Sequence, residues 1–567
     1  MADFDTLLIA NRGEIACRVI RSARAMGLRT VAVHSDADAG APHVKLADAA
    51  VRIGPSPVGE SYLCPDRILE AAKASGAGAI HPGYGFLSEN AAFAQAVQAA
   101  GLVFVGPPVE AIAVMGDKAR AKRAMIEAGV PCVPGYQGDD QSDATLVREA
   151  KAIGFPLMVK AAAGGGGRGM RLVRSERALA DAIGLARSEA QNAFGSGQLI
   201  LEKAIIRPRH VEIQVFADAH GSVLHFGERD CSVQRRHQKV IEEAPCPVMT
   251  AGLREAMGRA AIEAARAVDY RGAGTVEFLL GQDGAFYFLE MNTRLQVEHP
   301  VTEEITGLDL VELQIRVARG EPLGLTQADV RLEGHAIEVR LYAEDPDTDF
   351  LPSTGRALLW HPPSGAGIRV DAGLETGGGI FPFSPPRGRE NIAPRARRGG
   401  APPRPGRALR GAPPFGPKTN RDFLIDALQR GAFVRGEATT AFIGETYGET
   451  GFASAAPRLA ELCVAAVIQH RLGRARALGE ALDVSAELLE WSSAEDLHSV
   501  VEYAEGALSL TLEVHGRGGD AYEVRGGERP VAVRVREMHA PRARLVVDGE
   551  AIDAIFADAG SGGLHLA

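Results

Sequence analysis

The segment Glu290-Met291-Asn292-Thr293-Arg294-Leu295-Gln296-Val297-Glu298 sets a strong polar group at every second position. Side chains of an extended chain alternate between faces. Glu290, Asn292, Arg294, Gln296 and Glu298 are therefore expected on one face, with Met291, Leu295 and Val297 on the other. Solvation alone needs fewer such groups, and Asn and Gln among the charges point to a ligand. Residues 275–280 and 286–292 read as a hairpin around Gln282-Asp283-Gly284. That pairing puts Glu277 on the same face, diagonal to Glu290. Two carboxylates and the Asn292 amide oxygen form a hard-oxygen set of the kind Mg²⁺ uses beside nucleotide phosphates.

Upstream, Gly227-Glu228-Arg229-Asp230-Cys231-Ser232-Val233-Gln234-Arg235-Arg236-His237-Gln238-Lys239 is a second dense polar run. Its cations suit an anionic ligand, and an exposed helix or loop face would carry them equally well. Cys231 within it is either a nucleophile or, as isolated cysteines usually are, structural. Further upstream a strand over 155–160 ends at Lys160 and runs into Ala163-Gly164-Gly165-Gly166-Gly167-Arg168-Gly169. Glycines let backbone N–H groups close around a polyphosphate while a lysine supplies a point charge. No Gly-Lys-Ser/Thr follows, so this is not a P-loop, and a flexible surface loop has the same composition. Strands are expected at 198–203 and 211–217 with long helices between them.

The N-terminal region reads as strand (6–10), turn (Asn11-Arg12-Gly13-Glu14), helix (15–26) and strand (30–34), a βαβ unit of a parallel sheet. The Gly-rich turn His81-Pro82-Gly83-Tyr84-Gly85-Phe86 and a helix capped by Ser88 or Asn90 follow, then a strand at 102–105. A helix from Asp117 to Ala128 opens an α+β region that runs to about 330, and Gly334-His335-Ala336 begins a third unit. With 567 residues, three or four domains are expected.

The net charge of −10 argues against a nucleic-acid partner. Six scattered cysteines without a CxxC pair suggest neither zinc nor a disulfide framework, so a reducing cytoplasm is expected. The short apolar run near the N-terminus lacks a basic flank, and no membrane-spanning segment is expected. Pro, Arg and Gly fill 24 of positions 382–417, which reads as a disordered basic linker. Beyond about 505, short strands suggest a small β domain.

Taken together, these motifs resemble the biotin carboxylase subunit or domain of biotin-dependent acyl-CoA carboxylases, which are ATP-grasp enzymes. The resemblance rests on Leu8-Ile9-Ala10-Asn11-Arg12-Gly13-Glu14-Ile15-Ala16, His81 to Asn90, Gly116-Asp117-Lys118, the loop 164–170, Pro208-Arg209-His210-Val211-Glu212, the run 227–239, Glu290 to Thr302, and Gly334-His335-Ala336 with Arg340. Many motifs in one order cover residues 1 to about 375. The resemblance implies a multidomain α/β and α+β protein. Its parts would be a Rossmann-like N-terminal domain (1–115), an ATP-grasp domain (116–330), a biotin carboxylase C-terminal domain (331–450) and a small β-rich connecting domain (451–567).

The same resemblance implies that Lys118, Lys160, Glu202, Lys203, Ile205, His210, Gln234 and His237 contact ATP, with Gly166 and Gly167 in a closing lid. It implies that Glu277, Glu290 and Asn292 hold Mg²⁺ or Mn²⁺, and that Lys239, Arg294, Gln296 and the Val297 backbone bind bicarbonate. Glu298 would be the general base and Arg340 would face biotin carried on another chain. The implied partners are a biotin carrier protein or domain, a carboxyltransferase β subunit and a second copy of the chain, with no nucleic acid and no membrane.

Two features depart from the family. Relatives have a Tyr-Asp-Pro-Met-type strand and an Arg/Glu/Ala-rich helix where this chain has 382–417. Equal length with lost character is what two compensating frameshifts in a GC-rich gene produce. On that reading the third unit loses a strand and a helix. Residues 451–567 resemble the connecting domain of acyl-CoA carboxylase α subunits, methylcrotonyl-CoA type included, but no Met-Lys-Met biotin-attachment tripeptide occurs. Truncation before a carrier domain is the expectation. Two other readings are another ATP-grasp ligase and an impaired subunit that only assembles.

Overall fold

The apolar run Thr6–Ile9 is buried along its whole length because it lies mid-sheet, with parallel neighbours on both sides at Arg29–Ser35 and Ala79–His81. Ala49–Gly54 and Val103–Phe104 complete a five-stranded parallel sheet. Helix Gly13–Ala25 packs on one face through Ile15, Val19 and Ile20. Helices Pro65–Ser75 and Ala91–Ala99 cover the other through Ile68 and Phe93. Asn90, not Ser88, caps the last of these by accepting from the Phe93 N–H. This computed structural model describes residues 3–162, 170–380, 391–392, 404–411, 414–448, 450–482, 485, 488, 493, 497–505, 508–560 and 563–567. Gly166 and Gly167 lie outside the described residues.

The body that follows is built on a six-stranded antiparallel sheet. Its order is Phe286–Asn292, Gly272–Leu280, Arg209–Ala217, Val223–Arg235, Gln238–Ala244 and Ala336–Val339. Its last strand belongs by sequence to the third unit, so that unit is hydrogen-bonded into the central sheet. A smaller antiparallel sheet, Gly135–Tyr136, Leu199–Lys203, Leu157–Ala161 and Arg171–Val173, packs with helices Asp143–Ile153 and Leu179–Phe194. Contrary to expectation, no helix separates Leu199–Lys203 from Arg209–Ala217. The connection holds Pro208 and a left-handed Arg207 (φ 50°), neither of which continues a helix. The long helices Leu179–Phe194 and Ala251–Arg266 flank the pair instead.

In the third region, Val339, Leu341, Trp360, Phe423, Leu424 and Leu428 share one core. Two described pieces of the Pro/Arg/Gly stretch join this region. Asn391–Ile392 pairs antiparallel with Val370–Asp371. Helix Arg404–Arg410 buries Ala408 and Leu409 in the core. The expected loss of a strand and a helix is corrected to that extent: an Ala-Leu step between arginines suffices to seat a seven-residue helix. The C-terminal unit wraps a seven-stranded antiparallel sheet, His498 to Leu566, around helix Leu459–Glu480.

Candidate active site

The hairpin Gly272–Leu280/Phe286–Asn292 carries a β-bulge between Glu277 and Phe278. The bulge moves the register by one residue on one strand, so Glu277 lies directly opposite Glu290 and not diagonal to it. The extended strand also stops at Asn292. Residues 293–298 form a turn that leads into helix His299–Thr306. Simple alternation therefore holds only to Asn292, yet the turn brings the later polar groups back to the same place. The Arg294 guanidinium donates to Asn292 Oδ1 (3.0 Å), and Gln296 Nε2 donates to Glu277 Oε1 (2.8 Å). Leu295 and Val297 are buried in the core that holds helix Gly13–Ala25, whereas Met291, expected on their face, packs in a separate core.

At the centre sits Lys239, from the strand Gln238–Ala244. Its ammonium donates to Glu212 Oε2 (2.5 Å), Glu277 Oε1 (2.7 Å) and Glu298 Oε1 (2.6 Å). Burial alone would lower the Lys239 pKa, but the three carboxylates outweigh it and hold the ammonium well above its ordinary value. Burial raises the Glu277 and Glu298 carboxyls, and nearby cations reverse that and hold both well below. For Glu277 they are Lys239 and His210, and for Glu298 they are Lys239 and Arg340. Glu298 is thus a carboxylate with one oxygen on Lys239 and the other accepting from Arg340 (2.9 Å). Arg340 also bonds Glu242.

Of the expected ATP-contacting residues, His210 and Gln234 join this centre directly. Glu202 is gripped by Lys160 and by Lys122 (2.7 Å), which hold its carboxyl low against the burial that raises it. Lys203, next in the strand, turns to the other side and donates to the Phe155 carbonyl (3.1 Å). Ile205 is half-buried just beyond. Gln234 Nε2 meets His210 Nδ1 at 2.7 Å, and His210 Nε2 lies 2.8 Å from Glu277 Oε2. His237 is exposed at the tight turn of the next hairpin, its pKa lowered by partial burial and by the charges of Lys160 and His210. Lys118 begins the helix Lys118–Glu127 and offsets the raised pKa of Glu290, which burial and the Glu277 charge push up.

The run 227–239 is neither an exposed helix nor a loop but two paired strands and their turn. Cys231 is fully buried there, and burial with the neighbouring Glu212 holds its thiol well above the ordinary value. Inaccessible and held as a thiol, Cys231 fits the structural reading and not the nucleophilic one.

Several residues escaped the sequence reading. Arg229, fully buried, donates to Glu212 Oε1 (2.6 Å), Gln214, Thr302, Thr275 and Gln296 Oε1 (2.8 Å). With its oxygen held this way, Gln296 must present its NH₂ to the site. Glu89, from the N-terminal unit, accepts from Arg294 Nε (2.8 Å). Lys122, Glu212 and Glu242 complete the set. Buried strands carrying glutamates within apolar runs, such as Val240-Ile241-Glu242-Glu243, were the available signal.

Glu277, buried, and Glu290, half-buried, are directly opposed carboxyls beside the Asn292 amide, a donor set of the kind that suits a divalent cation. Burial and the Glu277 charge raise Glu290, and a divalent cation held by these residues would favour its ionised form.

Three family models match consecutive stretches: the biotin carboxylase N-terminal domain (residues 3–112), the carbamoyl-phosphate synthase L chain ATP-binding domain (117–326) and the biotin carboxylase C-terminal domain (338–445). The biotin carboxylase of Halalkalibacterium halodurans is 51% identical over 440 residues, which are 78% of this chain and 97% of that protein. The mitochondrial methylcrotonoyl-CoA carboxylase subunit α of Dictyostelium discoideum is 50% identical over 438 residues, 77% of this chain. This chain covers only 63% of the length of that subunit. Among solved structures, the biotin carboxylase domain of Hydrogenobacter thermophilus 2-oxoglutarate carboxylase, in complex with MgADP, ADP and bicarbonate, superposes with a TM-score of 0.76. It is 45% identical, over 80% of this chain and 99% of that one.

Proposed function

Because the chain belongs to the biotin carboxylase family, we propose that it uses ATP and bicarbonate to carboxylate biotin held on a carrier, the first half-reaction of an acyl-CoA carboxylase. The observation that carries this reading is the Lys239–Glu298–Arg340 chain of contacts. It sets a buried carboxylate base between an anion-binding ammonium and a guanidinium at the edge of the third region.

On this reading Lys118, Lys160, Glu202, Lys203, Ile205, His210, Gln234 and His237 hold ATP, and Gly166 and Gly167 belong to the lid over it. Glu277, Glu290 and Asn292 hold Mg²⁺ or Mn²⁺, which neutralises phosphate charge when bound. Lys239, Arg294, Gln296 and the Val297 N–H orient bicarbonate. Glu298 is already ionised by its cationic neighbours and accepts the bicarbonate proton as oxygen attacks the γ-phosphorus. The product, carboxyphosphate, releases CO₂ beside the biotin ureido ring. Arg340 cannot lose its proton, and it stabilises the oxyanion that forms when N1 is deprotonated. Exclusion of water by the lid protects carboxyphosphate from hydrolysis.

A biotin carrier, a carboxyltransferase β subunit and a second copy of the chain are the partners this assigns, and the choice of acyl-CoA, methylcrotonyl-CoA or another, belongs to the carboxyltransferase. Six unpaired cysteines support a cytoplasmic location. No described helix is long and apolar enough to cross a membrane. The seated helix Arg404–Arg410 supports an active enzyme over an assembly-only subunit.

The test is ATP hydrolysis by the purified chain with bicarbonate and Mg²⁺, with and without free biotin. Stimulation by biotin is the expected result. Bicarbonate-dependent hydrolysis indifferent to biotin would move the chain to another ATP-grasp activity, and ATP binding without turnover would favour the assembly role.

A further inference from the structure

Behind Arg340 the structure buries two more carboxyl groups that the proposed mechanism does not use. Glu242 and Glu338 are Cα partners across the antiparallel strands Gln238–Ala244 and Ala336–Val339. Side chains of directly paired residues emerge on the same face and side by side. Neither side chain has any exposed surface. Arg340 bonds Glu242 through Oε1. Glu242 Oε2 and both oxygens of Glu338 have no hydrogen-bond partner among the described residues.

Two buried anions side by side with one adjacent guanidinium are not a stable charge state. An uncompensated buried carboxylate sheds its charge by taking up a proton. The other charges facing the pair do not change this balance. Glu298, at the start of the helix His299–Thr306, adds a negative charge. On that helix His299 is buried with its pKa lowered to about 4, so it is neutral, and Glu303 is taken up by Arg18 and Arg369. Lys239, on the same strand as Glu242, is committed to Glu212, Glu277 and Glu298. Arg369 is committed to Glu303 and Asp371. Burial raises both carboxyls: Glu242, bonded to Arg340, to about 7, and Glu338, with the Glu242 charge adding to burial and Arg340 opposing, well above its ordinary value. A proton on Glu338 donated to Glu242 Oε2 pairs two of the three orphaned oxygens.

We propose that Glu338 is a positioning residue: as a neutral acid it donates a hydrogen bond to Glu242, so that a single negative charge backs Arg340 and the guanidinium stays turned to Glu298 and to biotin. The inference rests on the assignment of Arg340 to biotin made above. Ionisation of Glu338 at high pH places a second anion behind the guanidinium and draws it away from the site. Glu338 thereby sets an alkaline limit on biotin use.

The experiment compares the full chain with E338Q and E338L, following kcat/KM for free biotin against pH. The wild type should fall on the alkaline side. E338Q should lack that limb, because its amide donates at every pH. E338L has no donor and strands Glu242 Oε2, so KM for biotin should rise about ten-fold throughout. A second measurement does not depend on turnover. Infrared spectra of the wild type near neutral pH should contain a protonated carboxylic-acid carbonyl band that E338Q lacks. An alkaline limb unchanged in E338Q, or no acid band lost on substitution, would overturn the proposal. A wild type that ignores biotin while keeping the band would instead remove the functional reading and leave the shared proton standing.

Discussion

The central sheet and the C-terminal sheet are both antiparallel and of similar size, but they treat charge in opposite ways. In the strand Val531–His539, Val531, Val533 and Val535 are buried while Ala532, Arg534 and Arg536 face water. In the strand Arg209–Ala217 every residue is buried, Arg209, His210, Glu212 and Gln214 included. The first pattern is that of a sheet with one face on a helix and one in solvent. The second is that of a sheet covered on both faces, whose charges must satisfy one another. The sheet read as catalytic is therefore the one that bears the cost of buried charge, while the C-terminal sheet largely avoids it, with His515 its one buried polar side chain among the described residues.

The contrast is tested most severely at Lys239. Replacing it with Met leaves Glu212, Glu277 and Glu298 facing one another without their shared cation. Breaking a buried ion pair from one side costs about 3–5 kcal/mol. K239M should unfold at markedly lower urea, lose biotin-stimulated ATP hydrolysis, and recover part of its stability as pH falls and the carboxylates protonate. A K239M chain as stable as wild type at neutral pH would show that the central sheet tolerates free charge and would break the comparison.

The C-terminal sheet should be as sensitive to volume as the central sheet is to charge. Leu545 is fully buried in the core around helix Leu459–Glu480. Leu545→Ala should cost about 2–5 kcal/mol through lost transfer and a residual cavity. The loss should appear in a calorimetric transition belonging to this unit. Biotin-stimulated ATP hydrolysis below that transition should not change.

What could be read in the sequence divides along the same line. The parallel N-terminal sheet, the hairpin at 272–292 and the C-terminal β unit follow from alternation and turn residues, which act locally. The register of Glu277 against Glu290 does not, because a bulge is set by packing across the sheet. Arg229 and Lys122 were also out of reach. Each acts through residues far along the chain, Gln296 and Glu202 respectively, and only the fold makes them neighbours. The convergence of Arg294, Gln296 and Glu298 was expected for the wrong local reason. A turn, and not a continuous strand, brings them together. In the Pro/Arg/Gly stretch, composition hid the seat for helix Arg404–Arg410, because two apolar residues are too few to raise a periodic signal.

Proton uptake gives a smaller effect that sharpens the contrast. His299 is buried beside the central sheet, and burial lowers its pKa to about 4, with Arg18 and Arg369 acting in the same direction and Glu303 against them. A histidine held neutral in the fold but free to charge when unfolded stabilises the protein above its ordinary value of about 6.5. That stability is lost as pH falls from there toward about 4, at roughly 1.4 kcal/mol per pH unit. His299→Asn keeps an N–H for the Gln296 carbonyl that Nδ1 now meets at 2.8 Å and removes the titration. Between pH 7 and about pH 5 the variant should lose about 2 kcal/mol less than wild type in urea unfolding. Parallel losses in the two proteins would mean that His299 is already charged in the fold.

The smallest effect is expected where charge is cheapest. Arg544 and Asp553 face each other across neighbouring strands of the C-terminal sheet at 2.6 Å, with 55% and 74% of their side chains exposed. The contact is shorter than several in the active site, and distance alone would rank it among the strong ones. In water, however, the attraction is screened and offset by the ordering of two long side chains. Arg544→Ala should leave the thermal midpoint unmoved within error at both low and high salt, and should leave biotin-stimulated ATP hydrolysis unchanged. A loss that deepens at low salt would show that the outer face of this sheet also relies on its ion pairs. The difference between the two sheets would then be one of degree, set by how much water reaches each pair.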